Sequence, residues 1–261
     1  MNSNKFLYRK ACDKNPLLLF IHGAGCDYTF WSNLNRYFYY KDFSTLAISL
    51  PGHGKNNQKP LKSVDEMANF LVSKLKKYKH KKIIPVGHSL GGLVSLALGT
   101  KRNIGIEKII LIGTSYPMKV SDFLLLECKN DQSVGVHHII NWGLSHAVKL
   151  NGGCLTGINI ANSVYNLMSK SQDGIVLKDL NACKNFRIRE DIIDKIDMPV
   201  LIISGDKDIM TPKKYSIALK KMLPNARVEI LRECGHFHTF EKPNEVRDLI
   251  IKYLGYGKEE K

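Results

Sequence analysis

Short apolar runs alternate with longer amphipathic stretches along most of the chain. Strands buried on both faces of a parallel sheet are continuous apolar runs, and the helices that cover such a sheet are amphipathic. The apolar runs lie at 17–21, 45–50, 82–86, 106–112, 199–204 and 227–231. This order predicts an α/β protein with a doubly wound, mostly parallel sheet.

Start signals for helices follow several of these runs. Ser63 and Glu66 form a capping-box pattern, which predicts a helix from Val64. A second helix is predicted from Leu90 to about Leu98, and Pro212 and Pro243 each predict a proline in the first turn of a helix. Residues 5–10 predict one further strand, and the total number of strands stays open.

The alternation stops between the runs at 106–112 and 199–204. Residues 115–195 have helical periodicity and no convincing strand pattern, and they are too many for a loop in a compact domain. We therefore predict a core made of residues 1–114 and 196–261, with a helical cap inserted at 115–195.

Composition adds few constraints except through charge. The chain has 261 residues, 44% of them hydrophobic and 24% charged, which is typical of a globular protein that needs no metal or disulfide to fold. The formal net charge is +15, and its densest part is the basic run 74–82 at the end of a predicted helix. No nucleic-acid motif accompanies this run, so we interpret it as a solvated surface and expect no nucleic-acid partner.

The cysteines and the first residues indicate the compartment. The six cysteines are scattered singly, without a C-x-x-C pair: Cys12, Cys26, Cys128, Cys154, Cys183 and Cys234. This arrangement predicts neither a zinc site nor a redox motif. Residues 1–5 lack an apolar signal core, and no run reaches the length of a membrane span. We expect a cytoplasmic protein without a membrane partner.

One short motif carries the chemistry. Residues 87–91, Gly-His-Ser-Leu-Gly, match G-x-S-x-G between a predicted strand and a predicted helix. In that context the serine stands on a sharp turn, with its hydroxyl exposed above the end of the strand. Ser89 is therefore the predicted nucleophile.

Four further segments appear in a meaningful order around this motif. They are His22-Gly23-Ala24-Gly25, Pro51-Gly52-His53-Gly54, Gly205-Asp206-Lys207-Asp208, and Gly235-His236 with Glu241-Lys242-Pro243. With them the chain resembles the α/β-hydrolase fold superfamily, and within it the serine esterases that carry a helical cap. The resemblance covers nearly the whole chain except the insertion. It implies an oxyanion loop at 22–25, an acid turn at 205–208 and a histidine loop from 235.

The roles of three side chains follow from the chemistry of a serine nucleophile. A hydroxyl needs a neighbouring imidazole as base, and the imidazole needs a carboxylate that fixes its tautomer. We predict Ser89, His236 and Asp208 for these roles. Along the chain they follow the order serine, aspartate, histidine, which this fold uses. Asp206 is the alternative acid and His238 the alternative base.

The oxyanion hole and the pocket wall complete the predicted site. Backbone N–H groups are suited to an oxyanion because they are oriented before the charge develops. Leu90, directly after the nucleophile, is predicted to supply one, and the resemblance implies Ala24 for the other. The predicted lining comprises His22, Gly23, Cys26, His88, Trp142 and His238. His137 and His138 lack a third ligand, so we expect no metal.

These residues predict a cofactor-independent serine hydrolase that cleaves carboxylic esters through an acyl-enzyme. The glycine-rich segments do not fit a phosphate loop or a dinucleotide fingerprint, so we expect no cofactor. The expected partner is a small ester with an apolar group, and the expected state is a monomer or homodimer. The alternatives are a C–C bond hydrolase, a lactonase or a perhydrolase, a non-catalytic ligand receptor, and a basic nucleic-acid binder.

Overall fold

The described strands form one seven-stranded sheet in the order β1-β3-β2-β4-β5-β6-β7. The computed structural model describes residues 5–11, 14–76, 82–101, 104–152, 158–188, 190–193 and 195–255, without the side chains of 190 and 191. The strands are β1 (Phe6–Arg9), β2 (Leu17–Ile21), β3 (Ser44–Ile48), β4 (Ile83–His88), β5 (Ile109–Ile112), β6 (Val200–Gly205) and β7 (Ala226–Leu231). Strand β1 is antiparallel to β3, and the other pairs are parallel. The predicted fold class is therefore confirmed.

Successive side chains of the central strands enter two different hydrophobic cores. Leu18 and Phe20 of β2 belong to one core, whereas Leu17 and Leu19 belong to the other. Side chains alternate between the two faces of a sheet, so a continuous apolar run supplies both cores at once. This alternation explains why the strands were visible in the sequence as unbroken apolar runs.

Helices cover both faces of the sheet. The core helices are α1 (Ser32–Tyr40), α2 (Val64–Leu75), α3 (Leu90–Gly99), α10 (Lys213–Met222), α11 (His238–Glu241) and α12 (Pro243–Leu254). Buried residues of α1 and α12 share the core of Phe20, while those of α2, α3 and α10 share the core of Leu19. Two helical layers therefore enclose the sheet, as a doubly wound topology requires.

Residues 115–195 are helical wherever an element is described. Between β5 and β6 lie α4 (Asp122–Asn130), α5 (Gln132–Gly143), α6 (His146–Asn151), α7 (Ile160–Met168), α8 (Ile175–Asn185) and α9 (Glu190–Ile193). Buried residues of α4, α5, α7 and α8 join the core of Phe20. We refer to residues 115–195 as the insertion.

Some predicted details differ from the structure. The strand predicted at 106–112 begins at Ile109, because Ile106 makes only an isolated bridge to Ile83 after Gly105, which has a φ of +65°. Ser63 caps α2 as predicted, with its hydroxyl accepting from the Glu66 N–H at 3.2 Å. The Glu66 carboxylate, however, accepts from the N–H of Lys62 rather than from that of the cap residue. Pro212 precedes α10 as its N-cap instead of lying in the first turn.

The remaining expectations concern membrane spans, cysteines and the basic run. None of the described helices is long and apolar enough to cross a bilayer. The described cysteines are buried and free, namely Cys26, Cys128, Cys183 and Cys234. Cys12, Cys154 and residues 77–81 of the basic run lie outside the described residues.

Candidate active site

Ser89 lies at the turn between β4 and α3 in a strained backbone conformation. Its φ of 53° and ψ of −114° fall where residues with a side chain are rare. Strand and helix meet very closely here, since a Cβ on Gly87 would lie 2.1 Å from the carbonyl oxygen of Gly91. Glycine at position 87 therefore permits the turn that projects the serine beyond the end of β4.

The Ser89 side chain faces a cavity of about 330 Å³ that His236 also lines. Both residues are largely buried, and they come from loops at the carboxyl end of the sheet. Among the described residues, no hydrogen bond links the serine hydroxyl to the imidazole. The two side chains share a cavity wall and are not bonded to each other.

The His236 ring is bonded to the carboxylate of Asp208. Nδ1 of His236 lies 2.8 Å from Oδ2 of Asp208, and both side chains are almost fully buried. The same carboxylate accepts from the Thr211 hydroxyl at 2.6 Å and from the backbone N–H groups of Met210 and Thr211. Because a carboxylate can only accept, Nδ1 of His236 is the donor in this contact. Asp208, rather than Asp206, makes this contact.

The surroundings of Asp208 favour its ionised form. Burial raises the pKa of its carboxyl, but the positive charge of the imidazole and the hydrogen bonds from His236 and Thr211 act more strongly in the opposite direction. The net result is a pKa held well below its usual range. The carboxylate therefore stays charged wherever the chain is folded near neutral pH.

Two further histidines fix the backbone of the His236 loop. Nε2 of His88 lies 2.8 Å from the carbonyl oxygen of His236, and Nδ1 of His238 lies 2.7 Å from the same atom. Burial, and then the neighbouring imidazoles, lower the pKa of His88, and burial lowers that of His238. Each ring is therefore neutral and donates one N–H to a shared acceptor.

The buried carboxylate of Glu241, which was not predicted, also fixes the backbone of the His236 loop. It accepts from the backbone N–H groups of Gly235 at 3.0 Å and Phe237 at 3.2 Å, on either side of His236. It also accepts from the N–H of Ser145 in the insertion at 3.0 Å. The motif Glu241-Lys242-Pro243 was part of the family resemblance, but nothing in its spacing revealed this role.

The predicted oxyanion loop forms a tight turn over residues 23–26. The N–H of Cys26 donates to the carbonyl of Gly23 at 3.2 Å, and Gly25 has a φ of +66°. A positive φ at the third residue indicates a type II turn. The N–H of Ala24 donates to no described residue. Leu90 is the first residue of α3, so its N–H has no partner within the helix.

The Gly23–Cys26 turn is held by a buried ionic network. Oδ2 of Asp179, on α8 of the insertion, accepts from the N–H of Gly25 at 2.9 Å and lies 2.7 Å from Nε2 of His53. Nδ1 of His53 faces the carbonyls of Leu50 at 3.2 Å and Pro51 at 3.1 Å. Because all three partners accept, both ring nitrogens must carry protons, and His53 is an imidazolium.

The environment of His53 agrees with this charge. Burial lowers its pKa, but the Asp179 carboxylate and the hydrogen bonds outweigh burial, so the pKa is raised. The neighbouring His22 behaves oppositely, since burial and then the charge of His53 lower its pKa. A positive His53 beside a neutral His22 gives each donor an acceptor, because Nε2 of His22 accepts from the Leu50 N–H.

The cavity wall is mainly apolar and comes from both the core and the insertion. Of the predicted lining residues, Gly23, Cys26, His88 and Trp142 are part of it. Burial raises the pKa of Cys26, so this thiol remains protonated and is a weak nucleophile. Further lining residues include Met118, Leu124, Ile139, Met168, Leu180 and Cys183.

The prediction that His22 and His238 line the pocket is corrected. Both are fully buried behind the wall, where a ring nitrogen of each bonds backbone carbonyls. The sequence left both orientations open, because a histidine beside a strand-end loop can point toward the cavity or away from it.

His137 and His138 lie on α5 away from any metal-like cluster. Nδ1 of His137 bonds the Ser133 carbonyl, and His138 pairs with Glu127 at 3.6 Å. Across the described residues, no group of three histidine, cysteine, aspartate or glutamate side chains has the arrangement of a metal site.

Comparison with known proteins places this geometry in context. The family model described as "Alpha/beta hydrolase family" matches residues 18–249. The protein named "Putative esterase/lipase 2" of Mycoplasma pneumoniae is 25% identical, over 92% of this chain and 90% of its own length. A 2-hydroxy-6-oxononadienedioate/2-hydroxy-6-oxononatrienedioate hydrolase of a Pseudomonas species is 21% identical, over 94% and 89% respectively. Among solved structures, Est816, described as an N-acyl homoserine lactone degrading enzyme, superposes with a TM-score of 0.82 at 19% identity, covering 95% of this chain and 96% of that one.

Proposed function

The chain belongs to the alpha/beta hydrolase family, and from this premise we propose that it is a serine esterase acting through an acyl-enzyme. The observation that carries the proposal is that Asp208 pairs at 2.8 Å with His236, and His236 lines the same cavity as Ser89. The esterase/lipase name of a relative that covers most of the chain supports the same activity. The three side chains are those of a nucleophile, a base and an orienting acid.

The first half of the reaction forms the acyl-enzyme. Nε2 of His236 takes the hydroxyl proton while Oγ of Ser89 attacks the ester carbonyl, and the carbonyl oxygen becomes an oxyanion. The backbone N–H groups of Ala24 and Leu90 donate to this oxygen. His236 then gives its proton to the alkoxy leaving group as the C–O bond breaks.

The second half restores the enzyme. A water molecule gives a proton to His236 and attacks the acyl carbon, and the same two N–H groups stabilise the second oxyanion. Collapse releases the carboxylic acid and returns the proton to Ser89. Asp208 stays ionised throughout and stabilises the imidazolium form of His236 in both halves.

The cavity favours an ester with an apolar acyl or alcohol group of modest size. Its volume of about 330 Å³ is at the lower end of the range for small-molecule sites. The helical insertion supplies most of the apolar wall, including Leu124, Ile139 and Leu180. We therefore propose that residues 115–195 form a cap over the catalytic edge of the sheet.

The cleavage of a C–C bond is less well supported than ester hydrolysis. The Pseudomonas relative is named for a dioate, a substrate with two carboxylates. Of the described lining residues, Lys119 has the one permanent positive charge, and it is exposed at the surface. A dianion buried in this cavity would lack the paired cations that it needs.

Steady-state hydrolysis of p-nitrophenyl esters with acyl chains of two to twelve carbons tests the proposal. Wild type is expected to hydrolyse the short and medium chains, with activity falling once the chain exceeds the cavity. Ser89→Ala is expected to lower kcat by about 10⁴-fold or more, because the nucleophile is lost. An N-acyl homoserine lactone in the same panel distinguishes lactonase activity.

The matched control is Ser73→Ala on the exposed face of α2, which should leave kcat unchanged. A fluorophosphonate probe should label wild type at Ser89 and should not label Ser89→Ala. Undiminished ester hydrolysis by Ser89→Ala would show that the proposed mechanism is wrong. Absence of both labelling and hydrolysis in wild type would favour a non-catalytic receptor.

A further inference from the structure

The insertion reaches the Gly23–Cys26 turn through both backbone groups of Gly25. The N–H of Gly25 donates to Oδ2 of Asp179 at 2.9 Å, and its carbonyl accepts from the hydroxyl of Ser171 at 2.9 Å. A Cβ on Gly25 would lie 2.8 Å from the Val176 side chain and 3.0 Å from that of Met168. Residues of the insertion thus fix this peptide from two sides and leave no room for a side chain.

The contact with Asp179 selects one orientation of the turn's central peptide. A type II turn differs from a type I turn by a flip of the peptide between its second and third residues. In the Gly23–Cys26 turn this peptide joins Ala24 to Gly25, and its N–H is the one that Asp179 accepts. Rotation of this peptide would leave the buried carboxylate of Asp179 without this donor and the N–H of Gly25 without its acceptor.

The charge of Asp179 is close enough to matter for an oxyanion. Ala24 and Gly25 are adjacent, so Oδ2 of Asp179 lies at most about 6.5 Å from the Ala24 nitrogen by the bond lengths of the intervening backbone. An uncompensated anion at that distance would oppose negative charge on a substrate oxygen. His53, buried and doubly protonated, is placed at 2.7 Å to cancel it.

We propose that Asp179, His53 and Ser171 are positioning residues for the oxyanion hole, with Asp179 and Ser171 orienting the Gly23–Cys26 turn and His53 neutralising Asp179. The inference rests on the proposed function, because the turn matters in this way only if Ala24 binds an oxyanion. It assigns to the insertion a second task besides lining the pocket. The insertion keeps the oxyanion loop in its working conformation.

The test compares His53→Gln with the double variant His53→Gln/Asp179→Asn. Glutamine keeps a neutral donor toward Asp179, so the single variant leaves an unbalanced carboxylate beside the turn, and the double variant removes that charge. With p-nitrophenyl butyrate, His53→Gln is expected to lower kcat about 10- to 100-fold with little change in KM. The double variant is expected to recover to within about fivefold of wild type.

Inhibitor affinities separate this effect from a loss of folded protein, because an inhibition constant does not depend on the active fraction. Trifluoromethyl hexyl ketone forms a tetrahedral oxyanion on the serine, whereas methyl hexyl ketone serves as a ground-state analogue. His53→Gln should weaken the binding of the trifluoro ketone by the same factor as it lowers kcat, and should leave the affinity for the methyl ketone unchanged. The control is Asp173→Asn, which neutralises an exposed carboxylate of the same insertion and should change neither inhibition constant.

Each outcome decides between the proposals. If the double variant is no better than His53→Gln, or if both ketones weaken equally, the positioning role is wrong and the esterase proposal stands. If wild type neither hydrolyses the ester nor binds the trifluoro ketone, both proposals fall together.

Discussion

Two buried carboxylates join the insertion to the two loops of the site, and they are balanced differently. Asp179 belongs to the insertion, contacts the Gly23–Cys26 turn and pairs with the imidazolium of His53. Glu241 belongs to the core and accepts three backbone N–H groups, from Gly235, Phe237 and Ser145. One charge is neutralised by a cation and the other by peptide dipoles.

The difference determines how each junction responds to its surroundings. The Asp179 junction depends on a proton that His53 can lose, so it is sensitive to pH. The peptide groups around Glu241 cannot lose their protons in this way, so that junction depends on the geometry of its three donors. We infer that the contact at the Gly23–Cys26 turn changes with the protonation of His53, while the contacts around His236 rest on three peptide donors.

Among these changes, Glu241→Ala is expected to lower the free energy of unfolding most. It leaves three buried N–H groups without an acceptor, so the free energy of unfolding should fall by about 3–5 kcal/mol. Urea denaturation measures this loss, and Glu245→Ala on the exposed side of α12 is the control. A loss below about 1 kcal/mol would mean that water or a rearranged loop replaces the carboxylate.

The pH dependence of stability should distinguish the two junctions. His53 has a raised pKa in the folded state. Its contribution is therefore complete below the unfolded pKa of about 6.5 and is lost as the pH rises through the folded value, with a slope of up to about 1.4 kcal/mol per pH unit. Urea titrations between pH 6 and about pH 9 measure this slope.

His53→Gln should flatten that slope. Glu241→Gln should lower the free energy of unfolding but keep the same slope with pH. The lowered pKa of Asp208 acts in a separate window, since its contribution is lost as the pH falls through the folded value. An equal slope in wild type and His53→Gln would contradict the assignment of the proton to His53.

Ser171→Ala is expected to have the smallest effect, and it separates the two contacts that the insertion makes with Gly25. It removes the donor to the Gly25 carbonyl but leaves Asp179 in place, so we expect a loss of about 1 kcal/mol in the free energy of unfolding. Ser163→Ala is the control, because that hydroxyl makes a similar bond to the Asn159 carbonyl on a more exposed helix. Equal losses in the two variants would show that burial at Ser171 adds nothing.

Much of the fold was predictable because its signals are local. The apolar runs of the central strands, the Ser63 cap and the glycines around Ser89 act within one element or one turn. Helix α1 was not predicted, although Leu34 and Phe38 are spaced as one helix face and are buried. Aromatic and tyrosine-rich sequence obscured that pattern, because such residues are also common in strands.

The site was predictable in part for the same reason. The motifs around Ser89, Asp208 and His236 were visible because each combines a strand end with a turn, and parallel strands bring such ends to one edge. Asp179 left a weaker signal, since it interrupts an apolar helix face with Ile175, Val176 and Leu180. Nothing in that pattern named its partner.

The sequence by itself determined the fold class, the sharp turn at Ser89 and the residues expected to react, since periodicity and turn chemistry operate over a few neighbouring residues. Only the tertiary structure decided which buried charges meet. Asp179 and His53 are 126 positions apart, and Glu241 and Ser145 are 96 apart. Contacts across such separations depend on how the insertion packs against the core, and that packing is the sum of many apolar contacts rather than the property of any one motif.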